Sequence, residues 1–194
     1  MKIILSHRLA QIKPSPTLSL SAAANRLKAN GKPIINLTVG EPDFDTPESI
    51  KQAARAALDQ GFTKYTAVDG MLALKQAVVD KFKRENKLNY PLDHVIVSSG
   101  AKQSIYNLMQ CLLNPDDEVI IPAPYWVSYP DMALLAEAKP VIIATSIKQQ
   151  LKITPAQLEA AITEKTRLFI INSPSNPTGM VYTPTELSEL AKIL

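Results

Sequence analysis

The feature that most constrains this chain is an alternation of short, unbroken apolar runs with helix starts marked by a hydroxyl residue and a proline. The runs are Ile34 to Val39, His94 to Val97, Glu118 to Ile121, Val141 to Ala144 and Arg167 to Ile171. Several are continuous β-branched or leucine runs, which is how strands buried on both faces of a parallel sheet read; a sheet with one wet face would alternate. Helix starts are written as Thr46-Pro47, Thr154-Pro155 and Thr183-Pro184. In each, the hydroxyl can accept from a free backbone N–H while proline takes the first helical position at no hydrogen-bond cost. Gln157 and Glu186, three residues after their threonines, complete capping boxes. The helix from Pro47 is expected to run to Gly61, a left-handed stop, and the stripe Leu74, Val78, Phe82 gives one apolar helix face between Gly70 and Asn86. Strand following helix following strand predicts an α/β layer architecture with crossover helices.

Length and composition narrow the class of molecule. The chain has 194 residues, 46% hydrophobic and 20% charged, enough for one sizeable core and neither disordered nor membrane-like in balance. A formal charge of +3 and a single dense basic stretch, Lys81 to Lys87 at a helix end, read as a solvated face and not as a nucleic-acid surface. The one cysteine, Cys111, can form no internal disulfide and has no partners at metal-ligand spacing, which fits the reducing cytoplasm and no metal site. The apolar stretch Ile3-Ile4-Leu5 is too short for a signal-peptide core, and no run approaches ~18 apolar residues, so no membrane span is expected. Residues 1–32 differ from the rest: a loop through Lys13-Pro14-Ser15-Pro16, then a helical stretch from Thr17 to Ala29, read as an arm and helix outside the main sheet. The last segment places Leu187, Leu190, Ala191 and Leu194 on one helix face with no glycine stop, so the sequence reads as cut within a larger fold.

In open parallel sheets, ligands bind outside the C-terminal ends of the strands, so the loops after the runs are the places to search. Ser98-Ser99-Gly100-Ala101-Lys102-Gln103 puts small residues at a helix start, where backbone N–H groups and the helix dipole favour an anion. It matches neither GxGxxG nor a Walker motif, and an ordinary strand-to-helix turn is the alternative. Pro122 to Tyr129 carries the only tryptophan, Trp126, either to stack on a flat ring or to pack into the core. Asn172 to Gly179 is explained largely by turn chemistry, yet its two asparagines also offer amide hydrogen bonds to a ring substituent.

Five blocks then occur in order: GEPDFDTP (Gly40 to Pro47), KYTAVDG (Lys64 to Gly70), SSGAKQ (Ser98 to Gln103), PYWVSYP (Pro124 to Pro130) and NSPSNPTG (Asn172 to Gly179). Together they resemble the N-terminal part of a pyridoxal-phosphate-dependent class I aminotransferase, of the subgroup that includes many bacterial aspartate aminotransferases. The resemblance implies a partial three-layer α/β/α large domain with a mostly parallel sheet over residues 33–194, incomplete at its C-terminus. Residues 1–32 would be an arm and helix on the small-domain side. It also implies site roles. Gly100, Ala101 and Lys102 would lie at the phosphate of pyridoxal 5'-phosphate, Trp126 would stack on its ring, and Asn176 would bond the ring's phenolic oxygen. Tyr65 resembles the tyrosine that reaches the cofactor phosphate of a neighbouring subunit in a homodimer. Gly40 would offer backbone to the substrate carboxylate, with Trp126 and Asn176 also facing the substrate. Lys13, in IKPSPT, resembles the lysine that approaches a second carboxylate in members accepting prephenate; a surface lysine is the alternative. The family also aims these loops with cis peptides, expected at Ala123-Pro124 and Asn176-Pro177.

By the same resemblance, no catalytic residue lies in this chain. The Schiff-base lysine comes well after the NPTG block, which excludes both Lys102 and Lys192. Also missing are the aspartate for the pyridine nitrogen, its companion tyrosine and the arginine that clamps the substrate carboxylate. The implied parent activity is amino-group transfer between an amino acid and a 2-oxo acid, with aspartate or glutamate foremost and this chain inactive alone. Rival readings are carbon–sulfur lysis on the same scaffold and a non-catalytic dimerisation or interaction remnant. A nucleotide-binding protein has little support, since no glycine fingerprint follows the first strand. Uncovered strand edges and helix faces are expected to drive association.

Overall fold

The computed structural model describes residues 3–38 and 40–194. By its contacts the chain divides into two compact units, residues 17–104 and residues 1–16 with 105–194. This is a different cut from the expected division at residue 32, which refers to a completed fold.

The second of these units holds the sheet. Strands β1 (Glu118–Pro122), β2 (Lys139–Ile143) and β3 (Thr166–Phe169) are all parallel and lie in the order β2-β1-β3. The central strand is buried on both faces, as its unbroken apolar run requires: Val119, Ile120 and Ile121 are all at 0% exposure. Alternation along β1 sends Val119 and Ile121 to one cluster and Ile120 to the other. On the first face lie helices α5 (Ala101–Leu112) and α6 (Ser128–Leu135), through Met109, Met132 and Ala133. On the second lie α7 (Pro155–Ala161) and α8 (Pro184–Ala191), through Leu158 and Leu190. The result is the expected α/β/α layering. A short helix absent from the sequence reading, α1 (His7–Ala10), is capped by Ser6 and packs on α6.

The capping boxes form as written. Thr154 Oγ1 accepts from the Gln157 amide at 3.3 Å while Gln157 Oε1 accepts from the Thr154 amide at 3.1 Å. At α8, Thr183 Oγ1 accepts from the Glu186 amide at 3.2 Å and Glu186 Oε2 accepts from the Thr183 amide at 2.7 Å. At the N-terminal end of β1 the nearly buried Glu118 accepts from the Thr163 hydroxyl at 2.7 Å and pairs with Lys139 at 3.2 Å. Those partners, the hydroxyl foremost, hold its carboxyl below the ordinary value against the opposing effect of burial.

The other unit contains α2 (Pro16–Ala29), α3 (Glu48–Asp59) and α4 (Leu72–Lys81), the last continuing as a π turn over Phe82–Asn86. Helix α3 departs from the reading at its start. Pro47, not Thr46, is the cap residue, because its carbonyl receives the first helical bonds, from Ile50 and Lys51 at 3.0 and 3.1 Å. Its end is as expected: Gly61 sits at φ +80°, and the Phe62 amide returns to the Ala57 carbonyl at 3.0 Å. On α4 the buried residue is Lys75, ion-paired to Asp69, while Leu74 of the expected stripe is exposed.

Two expected strands are not strands. Ile34 to Thr38 forms no ladder and bends at Thr38, where Asn36 Oδ1 receives the Thr38 amide at 3.0 Å and hydroxyl at 2.7 Å; Val39 lies outside the described residues. His94 closes a 3-10 turn, and Val97 reaches only the Asp69 carbonyl, at 3.0 Å. A strand exists only where a neighbour accepts and donates its backbone bonds, and among the described residues neither run has such a neighbour.

Candidate cofactor site

Strand order and helix sides fix where a crevice forms. From the central strand β1 the chain moves through α6, on one face, to β2; from β3, on the other side of β1, it moves to α8 on the opposite face. Adjacent parallel strands whose following helices take opposite faces part at their C-terminal ends, and the gap is the usual ligand position in such sheets. A hollow is found there. Its walls are the end of β1 with Pro124, Tyr125 and Tyr129, and the segment after β3 with Asn172, Ser175 and Asn176, closed by Leu151 and Tyr182.

Local bonding shapes both walls. After β1 the Ala123 amide donates to the Ile143 carbonyl at 2.9 Å, and the Thr145 hydroxyl donates to the Ala123 carbonyl at 2.6 Å. The Ala123-Pro124 peptide is cis, as are Ser173-Pro174 and Asn176-Pro177, so both expected cis bonds are present with a third beside them. In the β3 loop, Asn172 Oδ1 accepts from the Asn176 amide at 2.8 Å, the Gly179 amide donates to the Ser175 carbonyl at 2.7 Å, and the Ser175 amide donates to the Met180 carbonyl at 2.9 Å. Asn172 is thereby spent on the loop itself. The side-chain amide of Asn176 is exposed and makes no hydrogen bond among the described residues, leaving its donor and acceptor available to a ligand.

Trp126 does not line this hollow. Its indole packs at the edge of the core cluster, 5.3 Å from the Tyr129 ring at 84°, an edge-to-face contact. Lys13 lies in the exposed loop between α1 and α2. The aromatic walls Tyr125, Tyr129 and Tyr182 were not singled out by sequence reasoning as site residues. Two of them stood in the PYWVSYP block, but tyrosine spacing alone does not tell a wall from a core position. Burial holds the phenols of Tyr129 and Tyr182 above their ordinary value, so both remain protonated donors.

The remaining expected positions belong to the unit of residues 17–104. Gly100 has φ +88° with nothing within 4 Å of where a side chain would stand. Its carbonyl accepts from the Gln103 amide at 3.1 Å, and Gln103 Oε1 in turn receives the Ser99 amide, so the turn is tied to the helix it starts. Helix α5 starts at Ala101, and the Gly100 amide just before it donates to the Ser98 carbonyl at 2.8 Å. Tyr65 is fully exposed, in a shallow concavity with Phe62, Lys64 and Met71. Gly40 is exposed and uncrowded. The segment bearing Tyr65 and the Gly100 turn are linked: the Val97 amide bonds the Asp69 carbonyl at 3.0 Å, and Gly70 lies against the Val97 side chain.

Comparison with known proteins adds an independent line. The family model for aminotransferase class I and II matches residues 32–194. An aspartate/prephenate aminotransferase of Nitrosomonas europaea is 60% identical over 98% of this chain and 48% of its own length. An aspartate aminotransferase of a Bacillus species is 53% identical over 100% of this chain and 49% of its own. Among solved structures, the aspartate aminotransferase of Rhizobium meliloti is similar with a TM-score of 0.94 at 47% identity, over 99% of this chain and 48% of that one. That of Thermus thermophilus with maleate gives 0.95 at 44%, over 99% and 50%. This chain spans about half the length of the curated relatives it matches.

Proposed function

Because the chain belongs to the class I and II aminotransferase family, we propose that its strand-end loops hold pyridoxal 5'-phosphate and that the complete protein moves an amino group between an amino acid and a 2-oxo acid. The observation that carries this reading is the hollow at the C-terminal ends of β1 and β3, where one amide, that of Asn176, is left unpaired beside aromatic walls. The donor at the hollow fits the cofactor: a phenolic oxygen suits the Asn176 side-chain amide. By family resemblance we assign the phosphate to the turn at Gly100, Ala101 and Lys102, and ring stacking to Trp126, which stands outside the lining of the hollow, edge-on to Tyr129. When bound, the cofactor supplies an electron sink for bonds at the substrate's α-carbon. This chain's residues bind and orient it, and no lysine here is assigned the covalent role.

Substrates follow from the relatives. Two whole proteins similar to this chain carry the names aspartate/prephenate aminotransferase and aspartate aminotransferase. We therefore assign aspartate or glutamate as amino donor and 2-oxo acids, prephenate among them, as acceptors, with Gly40 and Lys13 on the substrate side and residues 1–32 as arm and helix. Tyr65 is assigned to the neighbouring subunit's phosphate in a homodimer. We place the protein in the cytoplasm; among the described residues no helix is long and apolar enough to cross a membrane.

Titrating the purified chain with pyridoxal phosphate, followed by the cofactor's absorbance and by borohydride reduction with lysine mapping, tests the reading. Saturable binding without a reduced lysine adduct is expected. Absence of binding would favour the second reading, a non-catalytic interaction module, for which the exposed Phe44, Tyr65 and Val68 speak.

A further inference from the structure

One polar cluster behind the hollow has no part in the reading above. Lys152 is 8% exposed, and its Nζ lies 2.6 Å from Glu186 Oε1, 3.4 Å from the Val181 carbonyl and 5.7 Å from the centre of the Tyr182 ring. Tyr182 is 7% exposed and is gripped at both ends: its hydroxyl accepts from the Ile153 amide at 3.0 Å, and its own amide donates to Ser173 Oγ at 3.0 Å. Glu186 is gripped too, since its second carboxylate oxygen caps the first turn of α8 through the Thr183 amide at 2.7 Å. A buried ammonium is costly unless paired, so Lys152 has no comparable alternative to this arrangement.

The geometry positions a loop. Residues 172–179 are held within themselves by short-range bonds, but what fixes them to the body of the unit is the stretch just after them, through Val181, Tyr182 and Glu186, against the β2–α7 connection at Lys152 and Ile153. Tyr182 also lines the hollow beside Asn176, so the anchor and the free amide share a wall. We propose that Lys152, Glu186 and Tyr182 act as positioning residues that hold the Asn172–Gly179 loop in the one placement presenting the Asn176 amide to the hollow. For its consequence on ligand binding this rests on the cofactor reading, but the anchoring itself does not.

Amide hydrogen exchange on the intact chain, paired with pyridoxal phosphate titration, tests it in the parent and in Y182F, E186Q, K152M and K152R. Y182F removes the hydroxyl that accepts from the Ile153 amide while keeping the ring in the wall, and E186Q, whose residue does not line the hollow, keeps the shape of the cap. Exchange at the amides of Asn176, Gly179 and Tyr182 is expected to quicken about tenfold in Y182F, E186Q and K152M, while the Ile121 and Leu158 amides stay within about twofold, the pattern of local opening without global destabilisation. K152R, which keeps the pair, is expected to restore slow exchange. Pyridoxal phosphate affinity should fall by a similar factor in the three disruptive variants and recover in K152R. If the parent binds no pyridoxal phosphate, the cofactor reading fails and the exchange pattern alone decides the anchor. Loop amides that exchange as in the parent, a slowdown lost equally throughout the unit, or faster loop exchange with unchanged affinity in a parent that binds would each overturn the positioning role.

Discussion

Replacing Gly70 by alanine tests how the Tyr65 segment is seated on the turn at residues 98–102. A β-carbon at residue 70 would stand 2.6 Å from Val97 Cγ2 and 2.8 Å from Val97 Cβ, where ordinary contact begins at 3.4 Å. Val97 or the residue-70 backbone must therefore move by about 0.6–0.8 Å, the difference between those separations and ordinary contact. The obstructing atoms include a β-carbon, which cannot swing aside without the main chain. Overpacking of this kind costs about 1–3 kcal/mol. The backbone adds strain, because φ is +109° there and an L side chain in a left-handed conformation costs about 1–2 kcal/mol. Val97 is only half-buried, which favours the lower part of the range, so about 2–4 kcal/mol is expected for local stability. The assay is hydrogen exchange at the Val97 amide, which donates to the Asp69 carbonyl and reports this contact directly. Exchange should quicken about 30- to 1000-fold. V97A removes Cγ2 but leaves Cβ, so in the V97A background the same glycine substitution should cost about half as much. A G70A chain exchanging within about threefold of the parent, or strict additivity of the two substitutions, would refute the clash as the reason glycine stands there.

Acid should loosen the sheet unit at two points. The Lys152 ammonium beside Glu186, with the Thr183 amide, and the Thr163 hydroxyl beside Glu118, with Lys139, hold both carboxyls below their ordinary value. Each therefore contributes stability that is complete above the unfolded glutamate range, near pH 4.5, and is lost as pH falls through the lowered folded value. Thermal unfolding followed from pH 7 to pH 3 should show this decline, flattened in E186Q and in E118Q; curves of equal slope in all three chains would remove the assignment. Ile35, Leu37, Phe44 and Val68 each expose more than four-fifths of their surface, so the chain alone is expected to self-associate in light scattering as its concentration rises. A single monomeric species across that range would show that these side chains are tolerated in water.

How much of this was written in the sequence depends on how local the determinants are. The boxes at Thr154 and Thr183 form because each is closed by residues three apart, and no distant partner can alter them. β1 is the expected strand because Val119, Ile120 and Ile121 have helices on both sides to bury them. The run Ile34 to Thr38 carries the same β-branched signature, yet it forms no ladder, since a strand is a property of a pair and periodicity describes only one member. The same limit explains Lys75. Its position on an apolar-looking helix says nothing of Asp69, six residues away, whose carboxylate is what makes its burial tolerable.

The site divides along the same line. Turn chemistry left both asparagines of this loop open, and only the resemblance of the NSPSNPTG block pointed to Asn176; the structure separates them, since the Asn172 side chain closes the loop. The anchor behind the loop could not be singled out. Lys152, Tyr182 and Glu186 are up to 34 residues apart and belong to three different segments, a connection, a loop end and a helix start. Glu186 was visible only as a capping residue, and its cap uses one carboxylate oxygen; the other oxygen is what reaches Lys152. A capping glutamate with a spare oxygen can therefore tie a helix start to a distant segment, and in this chain the tied element is the loop that offers Asn176. That dual use predicts an asymmetry. Glutamine at residue 186 should preserve α8 while freeing the loop, whereas alanine at Thr183 should fray α8 and leave the Lys152 pair largely in place.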